Sequence, residues 1–147
     1  MQNLSNENDT IQLCGLLWDA LNFSKYLDLE TAWDIGETIG KRLPTAEEWQ
    51  ALCDLGSTWD DERKGRWFGG NHDTDRRGSL FLPADGVRHS YNDEVGGEGT
   101  TGYYWSSEDH PEGHRLYKVL FFDNTETDTA PYLHYPQGCS IRFVQDL

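Results

Sequence analysis

Three groups of side chains have the types and spacing to do chemistry. Asn71-His72-Asp73-Thr74-Asp75 sets oxygen donors at alternate positions ahead of Gly78, as a calcium loop does, and Asp60, Asp61 and Glu62 offer further oxygens. The distal bidentate glutamate is missing and Arg76 and Arg77 interrupt the run. A turn closed by Asp–Arg pairs is therefore the simpler reading, with a structural calcium as its rival. His110 and His114 stand four apart, which would suit a metal on a helix, but Pro111 and Gly113 between them argue for a loop. Cys14, Cys53 and Cys139 are odd in number and far apart, which fits neither a zinc ribbon, nor a disulfide scaffold, nor a redox thiol pair. No Ser-His-Asp order, phosphate-cradling glycine loop or paired-carboxylate signature stands out. The residues thus point away from an enzyme, with no resident cofactor and no metal beyond that possible calcium.

Composition narrows the class further. At 147 residues the chain is long enough for one domain with a sizeable core. Six Trp against one Met favour a core of rigid rings over an aliphatic bundle. The formal net charge of -14 repels phosphate backbones, so nucleic acid is excluded as a partner. The polar, acidic start shows neither a secretory signal nor a stretch able to insert into a membrane.

The elements that must position any site follow from the pattern. Residues 1–12 read as a flexible N-terminal segment and 13–147 as the folded domain. Leu13 to Asn22 reads as a first strand, with a short helix as the alternative. Asp28 caps a helix running to Gly40, with Leu29, Ala32, Trp33, Gly36 and Ile39 on one face. Pro44-Thr45-Ala46-Glu47-Glu48-Trp49 is a helix start with a capping box between Thr45 and Glu48. Trp49 and Leu52 form its inward stripe, and Gly56 ends it. Gly56 to Gly78 loses its period and reads as a long loop packed through Trp59, Trp67 and Phe68. Ser79–Pro83 is a short strand, Asn92–Thr101 a loop and Tyr103–Ser107 a strand. Arg115–Phe122 is a core strand with Tyr117, Val119 and Phe121 on one side and Leu116, Lys118, Leu120 and Phe122 on the other. Asp123–Asp128 is a hairpin loop and Ser140–Val144 a closing strand. Two helices ahead of several antiparallel strands make an α+β arrangement.

Trp18-Asp19-Ala20, Arg42–Leu52, Trp67-Phe68-Gly69, Ser79–Ala84, Gly102–Ser107 and Gly138–Val144 occur in one order. This ordered set resembles the major paralogous domain family named from Fibrobacter and common in Bacteroidetes. That family is similar to the formylglycine-generating-enzyme branch of the C-type lectin fold. The resemblance spans roughly residues 13–147. It implies a C-type lectin-like domain with two helices flanking a twisted antiparallel sheet and both termini on one sheet. Such domains are similar to the variable proteins of diversity-generating retroelements and to a phage tropism protein. There the segment from the Trp-Ser-Ser phrase to the closing strand displays binding residues on a fixed scaffold.

Carried onto this chain, the resemblance makes Trp49, Trp67, Trp105 and Arg142 scaffold. It makes Glu108, Asp109, His110, His114, Arg115, Tyr117, Tyr132, His134, Tyr135 and Gln137 the ligand-binding face. The mix suits recognition: Tyr gives broad contact at low entropic cost, and His, Asp and Gln give adaptable hydrogen bonds. The implied partner is a cell-surface protein or glycan, in the setting of a phage virion or bacterial surface. A fimbrial or phage-tail assembly module is the alternative. Two features depart from the family: Cys139 stands where Phe is more common, and 108–137 is less rich in Asn, Tyr and Ser than a diversified segment. A formylglycine-generating-type oxidase ranks third, because the last third of the chain has only Cys139.

Overall fold

The protein is described here as a computed structural model covering residues 9–89, 91–107, 116–134 and 137–147. Within these residues it is a mixed α+β fold of two helices and mostly antiparallel sheets. β1 (Thr10–Leu13) and β2 (Leu16–Asp19) form a hairpin, joined by β14 (Val144–Asp146) along the far edge of β2. Residues 10–12 thus belong to a strand, not to a flexible tail. The single strand expected over 13–22 is broken by a two-residue turn. Cys14 (φ 56°) and Gly15 (φ 74°) both adopt the left-handed conformation that a tight hairpin of this twist requires. Glycine at Gly15 signals that turn in sequence, but a cysteine ahead of it does not.

The main sheet contains β3 (Ser24–Leu27), β9 (Gly102–Trp105), β10 (Leu116–Phe122), β11 (Thr127–Asp128), β12 (Tyr132–His134) and β13 (Cys139–Ile141). Its order is β11-β10-β9-β13-β3, with β12 also on β10, and the β9–β13 pair is parallel. A third sheet of β4 (Ser57–Asp60), β5 (Gly65–Phe68) and β6 (Leu80–Pro83) replaces much of the loop expected over 56–78. The two-residue strands β7 (Val87–Arg88) and β8 (Val95–Gly96) pair with each other. β8 falls inside the segment read as a loop.

Alternation along β9 and β10 splits the core in two. Tyr104, Leu120 and Phe122 join Trp18, Trp49, Leu52, Phe68 and Leu82 on one face of the sheet. Trp105 and Val119 join Leu29, Ala32, Leu43, Ile141 and Phe143 on the other. Helix α1 (Leu29–Ile39) starts after Asp28, whose side chain makes no capping hydrogen bond, and ends at a left-handed Gly40 (φ 76°), so the expected bounds hold while the expected N-terminal cap does not. Its buried face is Leu29, Ala32 and Gly36 with Ile35 alongside. Trp33 and Ile39, expected on that face, are 40% and 45% exposed. Gly36 is needed where it stands, because a Cβ there would lie 2.9 Å from the Lys41 carbonyl and 3.1 Å from the Phe143 ring. Helix α2 (Ala46–Asp54) has the capping box in full: the Glu48 amide donates to Thr45 Oγ1 at 3.1 Å and the Thr45 amide to Glu48 Oε1 at 2.9 Å. Arg42 grips the Glu48 carboxylate with both Nη atoms at 2.8 Å. Burial works to raise Glu48, but the bonds from Arg42 and Thr45 outweigh it and hold the carboxyl below its ordinary range.

Between β13 and β14 the chain leaves one sheet and enters another, and Arg142 sits at that step with 1% of its surface exposed. Its Nε donates to Asn22 Oδ1 (2.8 Å), Nη1 to the Asp19 carbonyl (3.0 Å) and Nη2 to the Phe81 carbonyl (2.8 Å). Asn22 donates in turn to the Tyr104 hydroxyl (2.9 Å), which donates to the Pro83 carbonyl (2.8 Å). One side chain thus fastens β2, the turn after it, β6 and β9. Burial lowers the Arg142 guanidinium to about 10, so it stays charged at neutral pH. Lysine keeps that charge but not the fork of donors. Arg142→Lys is expected to lose about 2 kcal/mol in urea unfolding, because buried acceptors are left unmet; a loss under about 0.5 kcal/mol would contradict the role given to the fork.

In the third sheet Asp60 accepts from the Trp67 indole (3.0 Å), the Glu62 and Arg63 amides (both 3.0 Å) and Arg76 (2.8 Å). The Trp67 bond leads these in lowering the carboxyl to about 2. A depressed carboxyl contributes stability that is full above its unfolded value of 3.8 and fades as pH falls toward 2. Acid unfolding of Asp60→Asn should therefore show a shallower pH dependence between about 4 and 2 than the parent.

Candidate functional site

The frame of the candidate site forms where α2 meets the end of β9. Trp49 is fully buried and its indole donates to the Trp105 carbonyl at 3.2 Å; the Trp105 indole donates to the Leu27 carbonyl at 2.8 Å. Trp49 also packs on Trp18 (5.2 Å between ring centres) and edge-on against Tyr104 (5.7 Å). Just beyond, the Ser106 hydroxyl donates to the Lys118 carbonyl (2.8 Å) and the Ser107 amide to the Pro44 carbonyl (2.8 Å). The strand end is therefore docked both to β10 and to the lead-in of α2. The Thr129 hydroxyl donates to Gln50 at 2.6 Å, tying the turn after β11 to the same helix.

These ties enclose an open concavity of about 510 Å³. Thr45, Glu47 and Gln50 line it from α2, and Ser107, Lys118 and Thr129 from the sheet side. A second cleft of about 180 Å³ lies across Ser107 and is lined by Trp33, Gly36, Glu37, Lys41 and Leu43 among others. Ser107, the last described residue before 116, thus stands between a polar hollow and one floored by a tryptophan. The first presents carboxylate, amide, hydroxyl and ammonium groups, which suit a polar ligand or the tip of a partner's loop.

Of the predicted binding face, Glu108, Asp109, His110, His114, Arg115 and Tyr135 lie outside the described residues. Backbone register sets Tyr132 opposite Lys118 and His134 opposite Leu116, at the end of β10 that borders the polar hollow. Tyr117 is half-buried, with its ring edge-on to Trp105 at 6.5 Å and against the second core cluster. Gln137 is half-buried. Of the predicted scaffold, Trp49, Trp105 and Arg142 are buried, while Trp67 is half-buried between Arg63 and Arg76, 5.5 Å and 5.2 Å from its ring centre. Sequence reasoning placed Ser107 in the frame but missed Gln50, Lys118 and Thr129 as lining residues. Lys118 carried a signal: a charged residue sharing a row with Leu120 and Phe122 marks where that row leaves the core.

Residues named for a calcium loop are engaged otherwise. The Asp60 carboxylate is taken up as described, Asp61 pairs with Lys64 (3.2 Å), and Asp75 pairs with Arg77 (2.6 Å). Among the described residues no three His, Cys, Asp or Glu side chains gather as an ion site would need. The thiols are all shifted away from reactivity. Burial is the leading cause in each, pushing Cys53 up to about 11 and raising Cys14 and Cys139. No helix among the described residues is long and apolar enough to cross a membrane. No family model, curated protein or solved structure matches this chain.

Because Thr45 both caps α2 and lines the hollow, its loss has a calculable consequence. Thr45→Ala should cost about 1 kcal/mol in thermal or urea unfolding, and the Glu47 and Glu48 amides should exchange faster with solvent. Unchanged exchange at both would contradict the capping role.

Proposed function

We propose that this protein is a non-enzymatic recognition domain of C-type lectin-like architecture. It presents a binding surface from about residue 106 to 138 to a cell-surface protein or glycan, in the setting of a phage or bacterial surface. The observation that carries the reading is how this segment is rooted. At its start Ser106 and Ser107 are bonded to Lys118 and Pro44. At its end Gly138 exchanges two backbone hydrogen bonds with Arg88, both at 2.9 Å. Both roots of the segment are thus tied to the scaffold, which sets where it leaves and rejoins the fold. The polar hollow along Gln50, Lys118 and Thr129 lies beside it and widens the surface. Further support comes from the shape: the first and last strands share one sheet, and the helices lie on opposite faces of another.

The assembly-module reading has one observation in its favour. Trp33 and Ile39 leave apolar surface exposed along α1, which a neighbouring subunit would cover. A stable oligomer that is dispersed by Trp33→Glu would favour this reading over the first.

The test of the leading reading is a binding screen against arrayed glycans and bacterial surface proteins. Lys118→Ala and the triple change Tyr132→Ala, His134→Ala, Tyr135→Ala should each weaken binding at least about tenfold, a difference of about 1.4 kcal/mol, with thermal stability kept. Glu30→Ala, on the outer side of α1, should bind as the parent does. Equal binding by all four proteins would overturn the assigned surface.

A further inference from the structure

Six tryptophans stand in this chain, and five of them have a partner for the indole N–H. Trp18, Trp49 and Trp105 donate to backbone carbonyls, and Trp59 and Trp67 to carboxylates. Trp33 is the exception. Among the described residues its N–H meets no acceptor and its ring meets no other ring, and the side chain is part-exposed on α1. A large amphipathic ring with an unmet donor is the kind of side chain that a bound molecule completes.

Trp33 lines the cleft of about 180 Å³ beside Ser107. That volume is below the roughly 300–1,000 Å³ of sites that enclose a whole drug-sized ligand, so the cleft admits one ring and leaves the rest of a ligand outside. The Ser107 amide is taken by the Pro44 carbonyl, but the Ser107 hydroxyl has no partner among the described residues. The polar hollow begins on the other side of Ser107. There the Thr129 hydroxyl gives its proton to Gln50 (2.6 Å) and keeps its oxygen as an acceptor, while Asp54 orients the Gln50 amide (2.8 Å). The cations of the cleft are already met, Lys41 by Asp19 (3.0 Å) and Arg42 by Glu48 (2.8 Å). Glu37 in the cleft and Glu47 in the hollow are in no ion pair among the described residues.

We propose that the cleft and the hollow together form a saccharide site, which takes one pyranose ring of an uncharged glycan against Trp33 and the hydroxyls of the adjoining sugar over Gln50 and Thr129. The site belongs to the recognition surface proposed above and rests on that reading. A pyranose has C–H bonds on its faces, which suit the negative face of an indole, and hydroxyls around its edge, which suit the Trp33 N–H, the Ser107 hydroxyl and the Glu37 carboxylate. An apolar side chain of a partner protein would fill the cleft but leave the indole N–H and the Ser107 hydroxyl covered and unmet, which is costly. A net charge on the ligand is opposed from both sides. Anions meet Glu37 and Glu47 in a chain of formal charge -14, and cations meet Lys41 and Arg42 in the cleft wall.

The test titrates the whole protein with the methyl pyranosides of glucose, galactose, mannose and N-acetylglucosamine. Glucuronate serves as the anionic comparison and glycerol as a polyol without a ring. The indole N–H signals are followed by NMR, that of Trp33 being identified by its absence in Trp33→Phe. At least one pyranoside should give a saturable shift of the Trp33 indole and of the Ser107 amide, with the Trp18 and Trp67 indoles unmoved. Trp33→Ala should bind it at least about tenfold more weakly. No saturation by any pyranoside would overturn the proposal, as would equal binding by Trp33→Ala or saturation by glucuronate or glycerol at lower concentration. A Trp33 signal that moves on dilution alone would also overturn it, because a second copy of the chain would then cover the cleft. Arrayed surface proteins still bound through Lys118, with every pyranoside silent, would overturn the saccharide site and leave the recognition reading standing. The Ser107 amide is read in the parent, so the titration stands even where a Trp33 variant folds poorly.

Discussion

A buried guanidinium at the crossing between two sheets is the constraint on which this fold turns. The chain runs through β13 in the six-stranded sheet, passes Arg142 and Phe143, and continues as β14 beside β2. A strand that changes sheets interrupts its ladder, and the groups freed there must be met in another way. Asp19 donates its amide to the Phe143 carbonyl (3.1 Å), Phe23 to Ile141 (2.8 Å), and Arg42 and Val144 exchange two bonds (3.1 and 2.8 Å). Arg142 then satisfies the Asp19 and Phe81 carbonyls and Asn22 with one rigid fork. Burying a charge among neutral acceptors is expensive, and only a full set of hydrogen bonds offsets it. The nearest acid, Asp19, is itself held by Lys41 at 3.0 Å, so the arrangement is a shared polar junction rather than a simple ion pair.

The position of the proposed recognition surface follows from that junction. With β2, β6 and β9 locked together, the rings of Trp18, Trp49 and Tyr104 pack tilted and edge-on against one another and seat α2. Trp49 and Trp105 bond to the backbone beneath them, so the helix and the strand end cannot slide independently. Ser106 and Ser107 then fix the point where the chain leaves the sheet. A frame this tightly bonded fixes the points from which the proposed recognition surface departs and to which it returns.

Local rules that involve few neighbours were legible in the sequence. The capping box at Thr45 and Glu48, the Asp28 and Gly40 bounds of α1, and the alternation of β10 all appear as expected. Features decided by distant partners were not. Gly56 to Gly78 looked aperiodic because β5 buries Arg66, whose Nε meets Ser57 in the neighbouring strand (2.9 Å) and whose Nη1 meets the Asp123 carbonyl (2.7 Å) 57 residues along the chain. Trp33 fitted the helical stripe by spacing, but Ile35 packs on the core in its stead, while Gly36, as expected on that face, lets α1 approach the Phe143 ring. Arg142 could be named as scaffold from the resemblance, yet none of its acceptors was visible: Asn22 lies 120 residues away and Asp19 123. For the site, the root at Ser106 and Ser107 was legible and the hollow was not, since Gln50, Lys118 and Thr129 meet only after folding.

The central claim is that the crossing at Arg142 makes the separate sheets one body. Native-state amide hydrogen exchange across a denaturant series tests it most directly, read at the Asp19, Phe23 and Val144 amides that bridge the crossing. The account predicts that all three exchange only through global unfolding, with one shared free energy and one steep denaturant slope. Exchange of Asp19 or Phe23 through local openings with no denaturant dependence would contradict it, for the two sheets would then part while each remained folded.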